Sequence, residues 1–310
     1  MNRKRCFYLG CLLFFMSSCF AQSKNNFDLQ DALIPIEQVL SGGPVKDGIP
    51  AIDKPVFITV NNSDFLHNES AVLGVKYKGV VKAYPINILN WHEVVNDRFN
   101  EESVVITFCP LCGSGMAFLA VIDGETHTFG VSGLLYNSDV LLYDRQTQSL
   151  WSQLMNKAIS GPHRGKSLVS LPIFHTTWQD WKTRHPDTLV LSTDTGYKRN
   201  YRKHLYASYI ESPHTMFPLS VVSRRYHPKE LVMGLEIEGK FKVYPFIELE
   251  QSSATVTDIV NGQLITIRYD SQYRSATAFN QAGEQLPSVR TFWFAWYAFH
   301  PDTEIYAFQN

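Results

Sequence analysis

The chain has 310 residues, with 28 Lys and Arg against 29 Asp and Glu, for a formal net charge of −1. A charge this close to zero, with no basic run in the body of the chain, leaves no electrostatic footprint for nucleic acid. Of five cysteines only Cys109 and Cys112 lie beyond residue 21, which excludes a disulfide-scaffolded fold.

The N-terminus reads as an export signal. Arg3, Lys4 and Arg5 precede the apolar run "CFYLGCLLFFM" and a stretch of small residues, so 1–21 is expected to be a signal peptide. Two cleavage points compete. Met16-Ser17-Ser18-Cys19 is similar to a lipobox and would leave Cys19 as a lipidated N-terminus, whereas Cys19-Phe20-Ala21 before Gln22 suits ordinary signal peptidase. Removing the segment leaves 25 basic against 29 acidic residues. The expected location is the periplasm or the outer membrane as an anchored lipoprotein, otherwise secretion, with membrane contact only through Cys19. Residues 22–54 read as a linker and lead-in.

From residue 55 the chain reads as strands with few helices. "VLGVKYKGVVKAYPINIL" (72–89) alternates apolar residues about a Lys-Gly turn, then starts a helix at a Pro. A helix is expected over 85–97, carrying His92, then a strand into "ITFCPLCGSGMAF" (106–118). In the Cys-Pro-x-Cys-Gly turn, Pro110 restricts the backbone and Gly113 permits a left-handed residue, so backbone N–H groups can face both sulfurs and favour metal-binding thiolates. No second Cys-x-x-Cys completes a tetrahedral site. His92 is the expected third ligand beside Cys109 and Cys112, Met116 a further donor suited to copper, and His163 in "SGPHRGKSL" a fourth-ligand candidate weighed against a solvated loop residue. The expected cofactor is copper or zinc. Three other readings of the pair stay open: a thiol–disulfide redox centre, a structural disulfide in a tight turn, and a nucleophilic cysteine.

The next segment, "YNSDVLLYDRQTQSLWSQ" (136–153), is dense in polar groups. Asp139 and Asp144 are five apart and face opposite sides of a continuous strand, so they do not form a carboxylate dyad. If the chain is an enzyme, Asp139 or Asp144 is the candidate acid or base and Arg145 the anion clamp. Helices are expected over 175–185, 245–251 and 289–300, and 195–230 reads as an irregular connector.

An internal repeat runs through this pattern. Residues 72–89 align with 232–249 at an offset of 160, and "WQDWKTRHPDT" (178–188) matches "WFAWYAFHPDT" (293–303). The fold class expected is α+β, mainly β, in two related halves, 55–194 and 231–310, each with a hairpin, a short helix and a closing WxxWxxxHPDT helix. From Phe118 to His185 is 67 residues, but from Phe279 to His300 only 21, so the first half carries the additional segment as well as both cysteines and His92. The site is expected there, with the second half as scaffold.

"NWHEVVND", "TFCPLCGSGMAF", "FGVSGLLYNSDVLLYDRQTQSLWSQ" and "FWFAWYAFHPDT", in this order over roughly 55–307, resemble the family catalogued as domain of unknown function DUF3179. The resemblance implies an exported protein and groups His92, Cys109, Cys112 and the 137–151 segment in one site. It implies no reaction, and the partner expected is a small molecule or an envelope protein.

Overall fold

The computed structural model describes residues 23–309. The signal peptide expected over 1–21 and the lipobox expected at Cys19 lie outside the described residues. Strands cover 41% and helices 13% of the chain, which makes it mainly β. Five antiparallel-rich sheets of four or five strands read as the blades of a five-bladed propeller, beside two small two-stranded ribbons. Among the described residues no helix is long and apolar enough to cross a membrane.

The hairpin Ala71–Tyr77/Val80–Pro85 turns at Lys78 and Gly79, both left-handed at φ 47° and 80°. Its counterpart, Leu231–Ile237/Lys240–Pro245, turns at Glu238 and Gly239 with φ 48° and 80°. Two successive left-handed residues give the turn whose twist matches the flanking strands, and glycine takes the second position without a steric cost. A short helix follows each hairpin, Ile86–His92 and Phe246–Leu249.

Three expected helices are shorter than their sequence pattern. The one expected over 85–97 stops at His92, because Glu93 is left-handed at φ 58°, and Val94–Phe99 continues as a strand. Phe174–Thr177 and Ser288–Phe292 are strands on the hairpin edges, with helices only over Trp178–Arg184 and Trp293–Phe299. Each of these strands is rich in β-branched and aromatic residues, and pairing to an open sheet edge overrides the helical periodicity that runs into it.

The two closing helices make equivalent contacts. Trp181 Nε1 donates to Thr188 Oγ1 at 3.0 Å, and Trp296 Nε1 to Thr303 Oγ1 at 3.1 Å. Each indole lies against a hairpin glycine, so that a Cβ on Gly74 would sit 2.3 Å from Trp181 and one on Gly234 2.0 Å from Trp296. Both rings are buried; Trp181 is enclosed by core, whereas Trp296 borders a cavity that gives it some room to shift. Gly74→Ala and Gly234→Ala are each expected to cost about 1–3 kcal/mol by overpacking, read as a lower denaturant midpoint at unchanged slope. An unshifted midpoint in either would contradict the close packing.

The first half's additional segment is a sheet of its own, Phe129–Tyr136, Asp139–Asp144, Leu150–Ser152 and Lys157–Ser160. Its open edge is completed by Leu40–Ser41, paired through Leu134 and Leu135. Phe27, Leu29, Ile34 and Val39 are buried against Leu134, Leu141 and Leu150. Within the stretch expected as a linker, residues 27–39 are thus packed into the body of the protein, because their spaced apolar side chains cover a sheet face that would otherwise be wet.

Candidate metal centre

The knuckle joins the strands Glu102–Cys109 and Ser114–Leu119, with Cys109 opposite Ser114. Gly113 is left-handed at φ 63°, as the turn requires. The loop is braced from the far end of the chain: Cys112 C=O accepts from Phe292 N and from Thr291 Oγ1, both at 2.8 Å. Both cysteines are free thiols and buried.

A second hairpin supplies the facing wall. Tyr136 and Asp139 close a two-residue turn in which Asn137 and Ser138 are both left-handed, φ 50° and 66°. The Ser138 carbonyl faces both sulfurs, 3.6 Å from Cys109 Sγ and 3.4 Å from Cys112 Sγ, as an acceptor for the thiol protons. Asp139, the first residue past the turn, brings its carboxylate to the same point. One ligand atom each from Cys109, Cys112 and Asp139 lies within 4.8 Å of the others, a group that could hold a metal ion. Asp139 Oδ2 accepts from Leu154 N at 3.0 Å, while Oδ1 is buried without a partner. An unpaired carboxylate oxygen beside two thiols is the donor set of a soft-to-borderline cation.

Burial sets the electrostatics. It pushes Asp139 up to about 7 against backbone N–H donors that pull it down. Glu93 is pushed up to about 8, by burial first and by the neighbouring Asp139 second. Burial and the adjacent Cys109 hold the Cys112 thiol well above its ordinary value. Burial thus favours the protonated forms of Asp139, Glu93 and the Cys112 thiol, and a bound cation would displace those protons.

His92 is not part of this group. Its Nδ1 donates to the Pro50 carbonyl and its Nε2 accepts from Tyr201 O–H, both at 2.7 Å, and burial lowers its pKa so that the ring stays neutral. The side chain that meets the two cysteines is Asp139 rather than His92. Met116 is likewise elsewhere, lining a cavity with Leu154, Phe241 and Trp296. Asp144 sits at the opposite end of the strand Asp139–Asp144, where it accepts from Trp151 Nε1 at 3.0 Å. Arg145 Nη1 pairs with Asp53 at 2.7 Å and does not join Asp144. His163, weighed as a solvated loop residue, is buried.

The 195–230 segment lies over the site. Tyr209 O–H donates to Leu111 C=O at 3.0 Å, Ser138 Oγ to Phe217 C=O at 3.3 Å, and Ser220 N to Asn137 Oδ1 at 2.7 Å. Lys229 secures it by donating to the carbonyls of Tyr209, Ser212 and His214 at 3.0–3.1 Å, and burial lowers its pKa to about 8. Glu93, Tyr209 and Lys229 escaped the sequence reading. For Glu93 a signal existed, an acid at the helix end followed at once by "VV"; for the other two none did.

A model of the family described as Protein of unknown function (DUF3179) matches residues 46–286. No curated protein and no solved structure matches the chain.

Proposed function

The chain belongs to the DUF3179 family, and we propose that it is an exported metal-binding protein that holds zinc through Cys109, Cys112 and Asp139. The observation that carries this reading is the Asp139 carboxylate, which meets both sulfurs within 4.8 Å and keeps one buried oxygen, Oδ1, without a partner. Two thiolates suit zinc and copper(I) alike, but the carboxylate favours zinc. Three protein ligands leave a fourth position, and Glu93 stands beside Asp139 to orient whatever occupies it. The ion supplies charge neutralisation for two thiolates and a carboxylate. Asp139 acts as a ligand in this reading, and Asp144 and Arg145 take no part.

The thiol–disulfide reading is weaker, since both sulfurs are buried and the Cys112 thiol is held protonated, the reverse of a reactive thiolate. Export rests on the sequence of 1–21, with Cys19 lipidated or the chain released after Ala21. The shared Gly–Trp packing at 74/181 and 234/296 supports descent of the two hairpin units from one duplicated scaffold.

Cobalt substitution tests the centre, because cobalt–thiolate charge transfer in the near ultraviolet reports sulfur ligation alone. The band is expected in the full chain, absent in Cys109→Ser, weakened and shifted in Asp139→Asn, and unchanged in His92→Ala. A band lost with His92→Ala and kept with Asp139→Asn would restore the histidine as ligand. Absence of any band, with the two thiols found oxidised, would sink the metal reading.

A further inference from the structure

We propose a second metal site, for a divalent first-row transition ion, formed by His127, Asp144 and His163 at the end of the strand Asp139–Asp144 remote from the cysteines. One ligand atom each from these residues lies within 4.8 Å of the others. All three come from connections fixed by the sheet. His127 lies between the strands Glu125–Thr126 and Phe129–Tyr136, and its N–H donates to Ala120 C=O at 2.8 Å. Asp144 ends its strand. His163 sits in the turn after Lys157–Ser160, docked by its own N–H on Ser149 Oγ at 3.0 Å. In that turn Gly161 is left-handed, at φ 80°, and a Cβ there would meet Ser149 Cα at 2.7 Å, so the loop can approach only with glycine.

Two independent orphans point to a ligand. His127 is 2% exposed and its Nδ1 has no hydrogen-bond partner; His163 is 9% exposed and its Nε2 has none. Imidazole nitrogens do not stay unpaired in a dry interior without reason. His127 Nδ1 stands 3.4 Å from Asp144 Oδ1, long for a hydrogen bond. Two ligands bound at about 2.1 Å to a tetrahedral ion are themselves about 3.4 Å apart. The rings are inclined at 74°, with centroids 5.0 Å apart, so their edges converge rather than stack.

Asp144 is oriented from behind. Its Oδ1 accepts from Thr147 N at 2.6 Å, its Oδ2 from Trp151 Nε1 at 3.0 Å, and Thr147 Oγ1 reaches both oxygens at 2.8 and 2.9 Å. Such outer contacts hold a carboxylate as a ligand. Two neutral imidazoles and one carboxylate match the donor set of a divalent ion with positions left open, and without sulfur they disfavour copper(I). One contact opposes binding: Lys166 Nζ lies 3.2 Å from His163 Nδ1. For Nε2 to ligate, Nδ1 must carry the proton, so Lys166 has to turn fully to Asp123, with which it already pairs.

The site is independent of the cysteine centre, and the test separates them. In the full chain carrying Cys109→Ser and Cys112→Ser, Zn²⁺ titration is expected to retain one bound equivalent. His127→Ala or His163→Ala in that background is expected to weaken it at least about hundredfold. In the otherwise unaltered chain loaded with Co²⁺, His163→Ala is expected to remove part of the visible ligand-field absorption while the thiolate charge-transfer band stays. That measurement needs no cysteine variant to fold. A folded double-serine chain that takes up no Zn²⁺, or a His163→Ala cobalt spectrum identical to that of the unaltered chain, would overturn the proposal.

Discussion

Lys82→Met is expected to destabilise the protein by about 3–5 kcal/mol, because it leaves a buried carboxylate without its cation. Lys82 and Asp97 are 7% and 8% exposed, and Nζ lies 2.9 and 2.8 Å from the two carboxylate oxygens. The ammonium's third donor goes to Arg98 C=O at 2.8 Å, and Tyr84 O–H donates to the same carboxylate at 2.5 Å. The ring faces of Phe57 and Phe99 flank the ammonium at 4.1 and 4.8 Å, so no water replaces the lysine when it is removed. The second hairpin carries the same trio, Lys242, Tyr244 and Asp258, but its ion pair is more open, with side chains 13% and 18% exposed. Lys242→Met should therefore cost visibly less than Lys82→Met. Chemical denaturation of the two variants decides this, and equal losses would show that burial is not what gives the first pair its weight. Replacing both members, as in Lys82→Met with Asp97→Leu, should recover much of the loss, since the desolvation of the lone charge disappears with it.

In the metal-free protein Asp139 and Glu93 are expected to contribute a stability that falls as pH rises between about 6.5 and 8. Asp139 and Glu93 start from ordinary values of 3.8 and 4.5 and stand at about 7 and about 8 in the fold. In this window the folded chain holds more protons on them than the unfolded chain does, so stability falls with pH. The full displacement corresponds to roughly 4 kcal/mol per carboxyl, of which about 2 kcal/mol in total develops within the window. Other buried groups act in the opposite sense within the same window. His175 and His300 are held below their ordinary value by burial and Lys229 is lowered to about 8, so their contribution rises with pH. In chelator, the urea midpoint of the unaltered chain should therefore fall across the window relative to that of Asp139→Asn combined with Glu93→Gln. Saturating Zn²⁺, which supplies the charge that the protons had supplied, should flatten that relative fall. A difference between the two chains that does not change with pH would contradict the burial of these two acids.

The sequence by itself determined the local pieces. The Lys78-Gly79 and Glu238-Gly239 turns, the paired cysteines around Pro110, the WxxWxxxHPDT helices and the family were all legible, because turn chemistry and side-chain period act over a few residues. It also pointed to the first half, where both groups that could hold a metal lie. Helix ends were less legible, since an open sheet edge claimed residues 174–177 and 288–292 that carry helical periodicity. Which side chains meet the cysteines could be read only from the tertiary structure. His92 is nearer to Cys109 in sequence than Asp139 is, yet its two nitrogens are taken by Pro50 and Tyr201, 42 and 109 residues away. Asp139 reaches the sulfurs because a two-residue turn sets the register of its hairpin and the packing of one sheet on another aims that turn at the knuckle. His127 and His163 share no motif, and meet Asp144 through three separate connections of one sheet. Spacing along a chain encodes which side chains a turn or helix can bring together. Which turns meet is decided by burial of the apolar faces behind them, a sum over the whole core that no short stretch carries.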